Sequence, residues 1–248
     1  MPTVRSGPGI GLIVQVVLLA GLAGTVGLGT TGWLVGLGYG IATCAALTWG
    51  LDRSGTPDLG PADRVTLGRA TLVGAVAALT AAAFDRYVPV GVPVAIAIVA
   101  LLLDAMDGRV ARRTGTVTAL GARFDMEVDA FLILVLSVPV TRAFGAWVLA
   151  IGGMRYGFGA AGFAVRWLRE PVPPRYWRKV VAATQGVVLV CAASGVLPRP
   201  LVGTALVAAL VLLVESFGRD AVWQWRHRPV RPDRLVLPGH PHIAGKPH

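Results

Sequence analysis

The chain has 248 residues, of which 54% are hydrophobic and 15% are charged, and its mean hydropathy is +0.66. This composition excludes an ordinary soluble domain and favours an integral membrane protein. The formal net charge is +10. Because the basic residues lie beside apolar runs rather than on one soluble face, we attribute this charge to membrane topology and to attraction for anionic lipids, and we expect no nucleic-acid partner.

Eight apolar runs are long enough to cross a bilayer as helices. They cover approximately residues 10–29, 32–50, 66–84, 92–110, 124–140, 144–165, 180–196 and 201–217. The first run lacks a clear cleavage site, so we expect a retained helix rather than a signal peptide. In the second run, Gly32, Gly36 and Gly40 repeat every four residues, which is typical of closely packed membrane helices. The sequence therefore predicts an all-α polytopic membrane protein.

The basic residues also predict an orientation. If the N-terminus lies in the cytoplasm, the inner side holds the arginines of residues 109–113, those of residues 166–178 and the arginine-rich tail. The outer loops keep only Arg86, Arg142 and Arg199. This distribution follows the positive-inside rule, so we expect a cell-membrane protein whose polar motifs face the cytoplasm.

Four aspartates interrupt the fourth and fifth apolar runs. Asp104 and Asp107 share one helix face with Gly108 and Ala111, because these residues are three, four and seven positions apart. Gly121, Asp125 and Asp129 repeat every four residues on a second helix. Residues 114–118 can turn the chain between the two helices. Two antiparallel helices would then bring four carboxylates to one point near the cytoplasmic interface.

The chemistry of this acidic cluster favours a hard divalent cation. Oxygen ligands select Mg²⁺ or Mn²⁺ over zinc, and four carboxylates leave room for two ions or for one spare base. Gly108, Ala111 and Gly121 are expected to clear space beside the ions, and Arg112 can pair with phosphate oxygens. These features indicate attack by a hydroxyl on a nucleotide diphosphate, with one carboxylate as general base.

The acidic cluster has other possible roles. The carboxylates could simply be solvated at a helix end, or they could line the cation or proton path of a transporter. A transporter, however, would spread its carboxylates across the depth of the membrane. A catalytically silent structural homologue would be expected to lack a motif aspartate, and all four are present.

The pattern D-x2-D-G-x2-A-R-x8-G-x3-D-x3-D resembles the signature of the CDP-alcohol phosphatidyltransferases. Its eight specified positions are all met, by Asp104, Asp107, Gly108, Ala111, Arg112, Gly121, Asp125 and Asp129. The resemblance covers about residues 61–217 and implies the family's six-helix core. It also implies transfer of a phosphatidyl or other phospho-alcohol group from a CDP-linked donor, such as CDP-diacylglycerol, to an acceptor hydroxyl, with release of CMP.

The resemblance implies a role for each motif residue. Asp104, Asp107 and Asp125 would hold the metal ions, and Asp129, beside those ions, would be the base. Gly108, Ala111, Arg112, Thr118 and Gly121 would line the donor site. Upstream, the segment Asp63-Arg64-Val65-Thr66 resembles the element that opens the first core helix and touches the nucleotide. A helix N-cap is an equally good local reading of Asp63, and the two readings are compatible.

The acceptor is less defined. Relatives that make phosphatidylglycerol phosphate often carry Gly-Lys-x-Lys-Thr at the fifth core helix, but here only Lys179 of Arg178-Lys179-Val180-Val181-Ala182 corresponds. Arg155 is the one basic residue expected deep in a helix, and Arg166 lies about three turns further along the chain. Arg155, Arg166 and Lys179 are therefore the candidate acceptor-binding residues, and Arg155 could instead bind the donor phosphates. For Arg155, a carboxylate or carbonyl partner within the bundle is an equal alternative.

The predicted organisation has three parts. Residues 1–60 form two additional N-terminal transmembrane helices, residues 61–218 form the transferase core, and residues 219–248 form a basic cytoplasmic tail with prolines and histidines. The family also implies a homodimer in contact with membrane lipids.

Overall fold

The computed structural model describes residues 6–55, 59–114, 118–169, 172–173 and 175–228, and of residues 6, 61, 107–114 and 169 it describes the backbone only. The fold is all-α, with 87% helix and no strand in these ranges. The helices are α1 Ser6–Thr25, α2 Gly29–Ser54, α3 Pro61–Ala82, α4 Gly91–Thr114, α5 Ala119–Phe144, α6 Leu149–Ala164, α7 Tyr176–Ser194 and α8 Arg199–Arg226. Each of the eight expected apolar runs corresponds to one helix.

Two helix ends differ from those that the apolar runs predict, and a glycine explains each difference. The first run was expected to continue to residue 29, but α1 ends at Thr25 because Gly27 takes a φ of 79° in the turn to α2. The sixth run was expected to begin at residue 144. There, Gly145 has a φ of 95° and a short 3-10 turn, Ala146–Val148, precedes α6. Left-handed backbone of this kind is accessible to glycine at little steric cost.

Among the described residues, four helices are long and apolar enough to cross a membrane by length and composition: α1, α2, α3 and α8. Eight such runs were expected. Charged residues explain part of the difference, because Asp125, Glu127 and Asp129 all lie in α5. Helix α6 has only 16 residues, and α7 carries Arg178 and Lys179 near its start.

Helix α3 lies at the centre of the bundle. It packs against α1, α2, α4 and α5, and 72% of its apolar stretch is buried, compared with 28% for α1 and 22% for α2. The main core includes Val73 and Val76 of α3, Leu132 of α5 and Leu189 of α7. Polar side chains on the inner face of α3 are therefore enclosed by neighbouring helices.

The glycine repeat of α2 packs as the sequence predicts. Gly32, Gly36 and Gly40 are buried. A Cβ at Gly36 would lie 2.8 Å from the Leu19 side chain of α1 and 3.0 Å from Cβ of Ala78 in α3. The absence of side chains at these positions therefore lets α2 approach both α1 and α3 closely.

A leucine at position 36 is expected to destabilise the protein by about 1–3 kcal/mol, because the added side chain overpacks the contact with α1 and α3. Thermal unfolding in detergent measures this effect. Gly38→Leu is the matched control, since Gly38 is exposed on the same helix and its added Cβ meets nothing within 4 Å. Equal melting temperatures for the two variants would contradict this packing.

Candidate active site

Three aspartates from two helices converge at one end of the bundle. Asp104 lies on α4, and Asp125 and Asp129 lie one turn apart on α5. One carboxylate oxygen from each lies within 4.8 Å of those of the other two. The expected convergence of these three aspartates is therefore present in the structure. Their side chains are 31–39% exposed, so the cluster is open to a ligand.

A buried arginine lies between the three carboxylates. Arg69 of α3 is 1% exposed, and its Nη1 donates to Oδ1 of Asp104 at 2.5 Å. Its Nη2 donates to Oδ1 of Asp125 at 2.6 Å and to Oδ1 of Asp129 at 2.9 Å. One guanidinium therefore joins three helices at a single point, with the charge-assisted geometry that suits arginine.

Arg69 is the site residue that the sequence reasoning missed. Arg155 was expected to be the one basic residue deep in a helix, and this was wrong, because Arg69 is fully enclosed in α3. The spacing offered a signal: Asp63, Thr66 and Arg69 lie three residues apart and therefore share a face of α3. All three are buried. Neighbouring aspartates in a largely apolar bundle also require a compensating positive charge.

The residues present fit a divalent cation. The donor atoms in the cluster are carboxylate oxygens, the ligand type that Mg²⁺ and Mn²⁺ prefer. The three carboxylates already stabilise one positive charge, because the Arg69 guanidinium lies between them. Asp104, Asp125 and Asp129 are therefore the described residues able to hold such an ion.

Part of the motif lies outside the described side chains. The backbone of Asp107, Gly108, Ala111 and Arg112 continues α4, so these residues keep the helical spacing that the sequence predicts. The structure does not describe their side chains. Residues 115–117, expected in the turn between α4 and α5, also lie outside the described residues.

A second polar contact joins the beginnings of α3 and α5. The Thr118 hydroxyl lies 3.5 Å from both carboxylate oxygens of Asp63 and accepts a hydrogen bond from the Gly121 backbone N–H at 2.9 Å. Thr118 is therefore the N-cap of α5. This contact brings together Asp63, Thr118 and Gly121, three residues that the sequence predicted at the donor site.

Two expectations about these residues are corrected. Asp63 is not the N-cap of α3, because the helix begins at Pro61 and Gly60 is the N-cap. Asp63 lies in the first turn of the helix, and its carboxylate accepts a hydrogen bond from the Gly60 backbone N–H at 3.1 Å. Gly121 was expected to clear space beside the metal ions. The space beside it holds the Asp63 side chain instead, because a Cβ at Gly121 would nearly coincide with Oδ1 of Asp63.

The remaining residues of the upstream element divide between two faces of α3. Thr66 is buried, and its hydroxyl donates to the Ala62 carbonyl at 3.3 Å. Arg64 and Val65 are exposed on the other side of the helix. The structure therefore places Asp63 and Thr66, but not Arg64 and Val65, on the face that carries Arg69.

The expected acceptor residues lie on α6, on α7 and in the link between them. Arg155 has a carboxylate partner in the bundle, since its Nη2 donates to Oε1 of Glu127 at 2.5 Å, and it acts electrostatically on Asp129. Lys179, exposed in the first turn of α7, acts on Asp104. Arg166 begins a short 3-10 turn after α6, which ends at Ala164.

Replacing Arg69 with glutamine is expected to destabilise the metal-free protein by about 3 kcal/mol, because three clustered carboxylates lose their shared counter-charge. Mn²⁺ should then raise the melting temperature of Arg69→Gln more than that of the wild type. Arg64→Gln is the control, since it removes a cation from the exposed face of the same helix. An Arg69→Gln protein as stable as this control without metal would contradict the role assigned to Arg69.

Comparisons with known proteins give one finding. The family model for CDP-alcohol phosphatidyltransferase matches residues 61–215, which is more than half of the chain. Comparisons with curated proteins and with solved structures gave no match. The family transfers a phosphatidyl group from a CDP-alcohol in phospholipid synthesis and depends on divalent metal. Together with the four apolar helices found among the described residues, this match identifies the chain as an integral membrane protein of the CDP-alcohol phosphatidyltransferase family.

Proposed function

We propose that the chain transfers a phosphatidyl group from CDP-diacylglycerol, or a similar CDP-alcohol, to the hydroxyl of an acceptor and releases CMP. The observation that supports this most is the convergence of Asp104, Asp125 and Asp129 at one point that already stabilises positive charge. A transporter would need carboxylates along a path through the membrane. A cluster within 4.8 Å, built from two helices, does not favour that function.

In this proposal the motif aspartates bind two divalent ions, either Mg²⁺ or Mn²⁺. Asp104, Asp107, Asp125 and Asp129 are the ligands, and Arg69 keeps three of them together before the donor arrives. When bound, the ions neutralise charge on the donor diphosphate. The role of Arg69 is supported by its burial, because an enclosed guanidinium holds its carboxylate partners in a fixed arrangement.

Asp129 is the proposed general base. The acceptor oxygen forms a bond to the phosphatidyl phosphorus while the bond from that phosphorus to the CMP oxygen breaks. The hydroxyl proton passes to the Asp129 carboxylate, and CMP leaves with the electrons of the broken bond. Asp129 suits this role because its side chain is about one-third exposed, so an acceptor can reach it.

The donor site follows the motif. Gly108, Ala111 and Arg112 on α4, together with Thr118 and Gly121 at the start of α5, would line the CDP moiety. Asp63 and Thr66 would complete the site from α3, with Arg64 and Val65 at its edge. The contact between Asp63 and Thr118 supports this grouping, since it links the two helix beginnings that flank the cluster.

The acceptor would lie between α6 and α7. Arg155 pairs with Glu127, two residues before Asp129 on α5, and Lys179 lies in the first turn of α7, which packs against α4 and α5. Both cations can therefore place an anionic acceptor beside the aspartate cluster. Arg166 would contribute from the link after α6. The active site would face the cytoplasm of a cell-membrane homodimer, with residues 61–218 as the core, two additional helices before it and a basic tail after it.

The proposed activity is tested by giving purified protein radiolabelled CDP-diacylglycerol and Mn²⁺ with pooled acceptors. The pools contain inositol phosphate, glycerol phosphate, amino alcohols and lipid alcohols. The expected result is one new labelled lipid and an equal amount of CMP, both of which disappear when EDTA removes the metal. A protein that binds Mn²⁺ but forms no labelled product with any of these pools would reject the proposal.

Asp129→Asn is expected to lower the rate of CMP release by about 100-fold or more, because the acceptor hydroxyl loses its base. Metal-dependent binding of the CDP-lipid should survive in the variant. The control is Asp85→Asn, which removes a carboxylate beyond the far end of α3, where Asp85 accepts from Thr31. Full turnover by Asp129→Asn would exclude Asp129 as the base.

A further inference from the structure

Helix α2 lies outside the region that matches the family, yet it reaches the helix that carries two of the aspartates. Tyr39 of α2 stacks on Phe131 of α5, with ring centroids 4.6 Å apart and planes 16° apart. Phe131 follows Asp129 by two residues. Tyr39 also lies against Gly74 of α3, where a Cβ would approach the tyrosine ring to 2.7 Å. Tyr39 therefore contacts both α3 and α5.

A second contact joins α2 and α5 at the beginning of α5. A Cβ at Gly50 would lie 2.4 Å from Cδ1 of Leu120, so α2 and the first turn of α5 are closely packed there. Leu47 and Leu51 of α2 belong to the same small apolar cluster, against which Leu120 and Phe124 pack. Leu120 immediately precedes Gly121 and follows the N-cap Thr118 by two residues.

These two contacts bracket the aspartates. They are about three helical turns apart on both helices, which run antiparallel at this point. Asp125 and Asp129 lie on α5 between Leu120 and Phe131. Because α2 contacts α5 on both sides of Asp125 and Asp129, α5 cannot rotate or shift far along its axis without breaking one of the two contacts.

We propose that α2 positions the metal ligands of α5, with Tyr39 and Gly50 as the positioning residues. The inference rests on the metal-dependent transfer proposed above. Helix α2 is then part of the catalytic machinery rather than of a separate membrane anchor. Residues that orient metal ligands from outside the coordination sphere typically change metal affinity by about 10–100-fold when they are replaced.

The test uses the full chain and measures Mn²⁺ affinity from the electron paramagnetic resonance signal of free Mn²⁺, without any lipid substrate. Tyr39→Leu removes the ring that stacks on Phe131, and Gly50→Leu pushes against Leu120. Each variant is expected to bind Mn²⁺ about tenfold or more weakly than the wild type. In the transfer assay, kcat should fall while KM for the acceptor stays unchanged, because α5 carries the proposed base and not the acceptor residues.

Two controls separate positioning from general stability. Tyr39→Phe keeps the ring and should restore the Mn²⁺ affinity that Tyr39→Leu loses. Gly38→Leu adds the same side chain to an exposed position of α2 and should bind Mn²⁺ like the wild type. Melting temperature and size-exclusion profile are recorded for every variant. If Tyr39→Leu does not fold, the Mn²⁺ affinity of Gly50→Leu is compared with that of the wild type instead.

Folded Tyr39→Leu or Gly50→Leu protein with wild-type Mn²⁺ affinity and wild-type kcat would overturn the inference. A lower melting temperature with unchanged affinity would also overturn it, because that result assigns α2 a purely structural role. Failure of the proposed function is distinguishable from this outcome. In that case the wild-type protein binds Mn²⁺ but makes no product, and the affinities of the variants still report on the two contacts.

Discussion

The structure depends on the contact between one buried guanidinium and three carboxylates. Arg69 is enclosed in α3, the most buried of the four membrane-length helices, and its partners come from α4 and α5. Isolated charges at such a position would be very costly, so the group is stable only while all its members are present. This interdependence fixes the relative placement of three helices at the end of the bundle where the motif lies. It also produces a site that attracts cations.

Around this contact the fold is arranged in layers of decreasing burial. Helix α3 forms the centre, α4 and α5 supply the acids, and α6 and α7 supply exposed or half-exposed cations beside them. The hairpin of α1 and α2 covers the opposite side of α3, where small residues allow close approach. The transfer reaction expected of the family therefore uses few residues, but nearly every helix of the bundle contributes to positioning those residues.

Much of this arrangement was readable from the sequence. Helix positions followed from the apolar runs, and the convergence of Asp104, Asp125 and Asp129 followed from the four-residue spacing on neighbouring helices. Arg69 was missed because a single arginine near the end of an apolar run is normally read as an interfacial residue, and its burial depends on three other helices. The packing of Asp63 against Gly121 and the ion pair of Arg155 with Glu127 are likewise tertiary contacts that local spacing does not encode.

The central claim is that Asp104, Asp125 and Asp129 hold divalent cations for a CDP-linked donor. An experimental structure of the protein with Mn²⁺ and CDP-diacylglycerol, with data collected at the manganese absorption edge, tests it most directly. Anomalous peaks are expected within coordination distance of these three carboxylates, beside the donor diphosphate. A donor bound elsewhere, with no manganese peak near the three aspartates and Arg69 still paired to all of them, would contradict it.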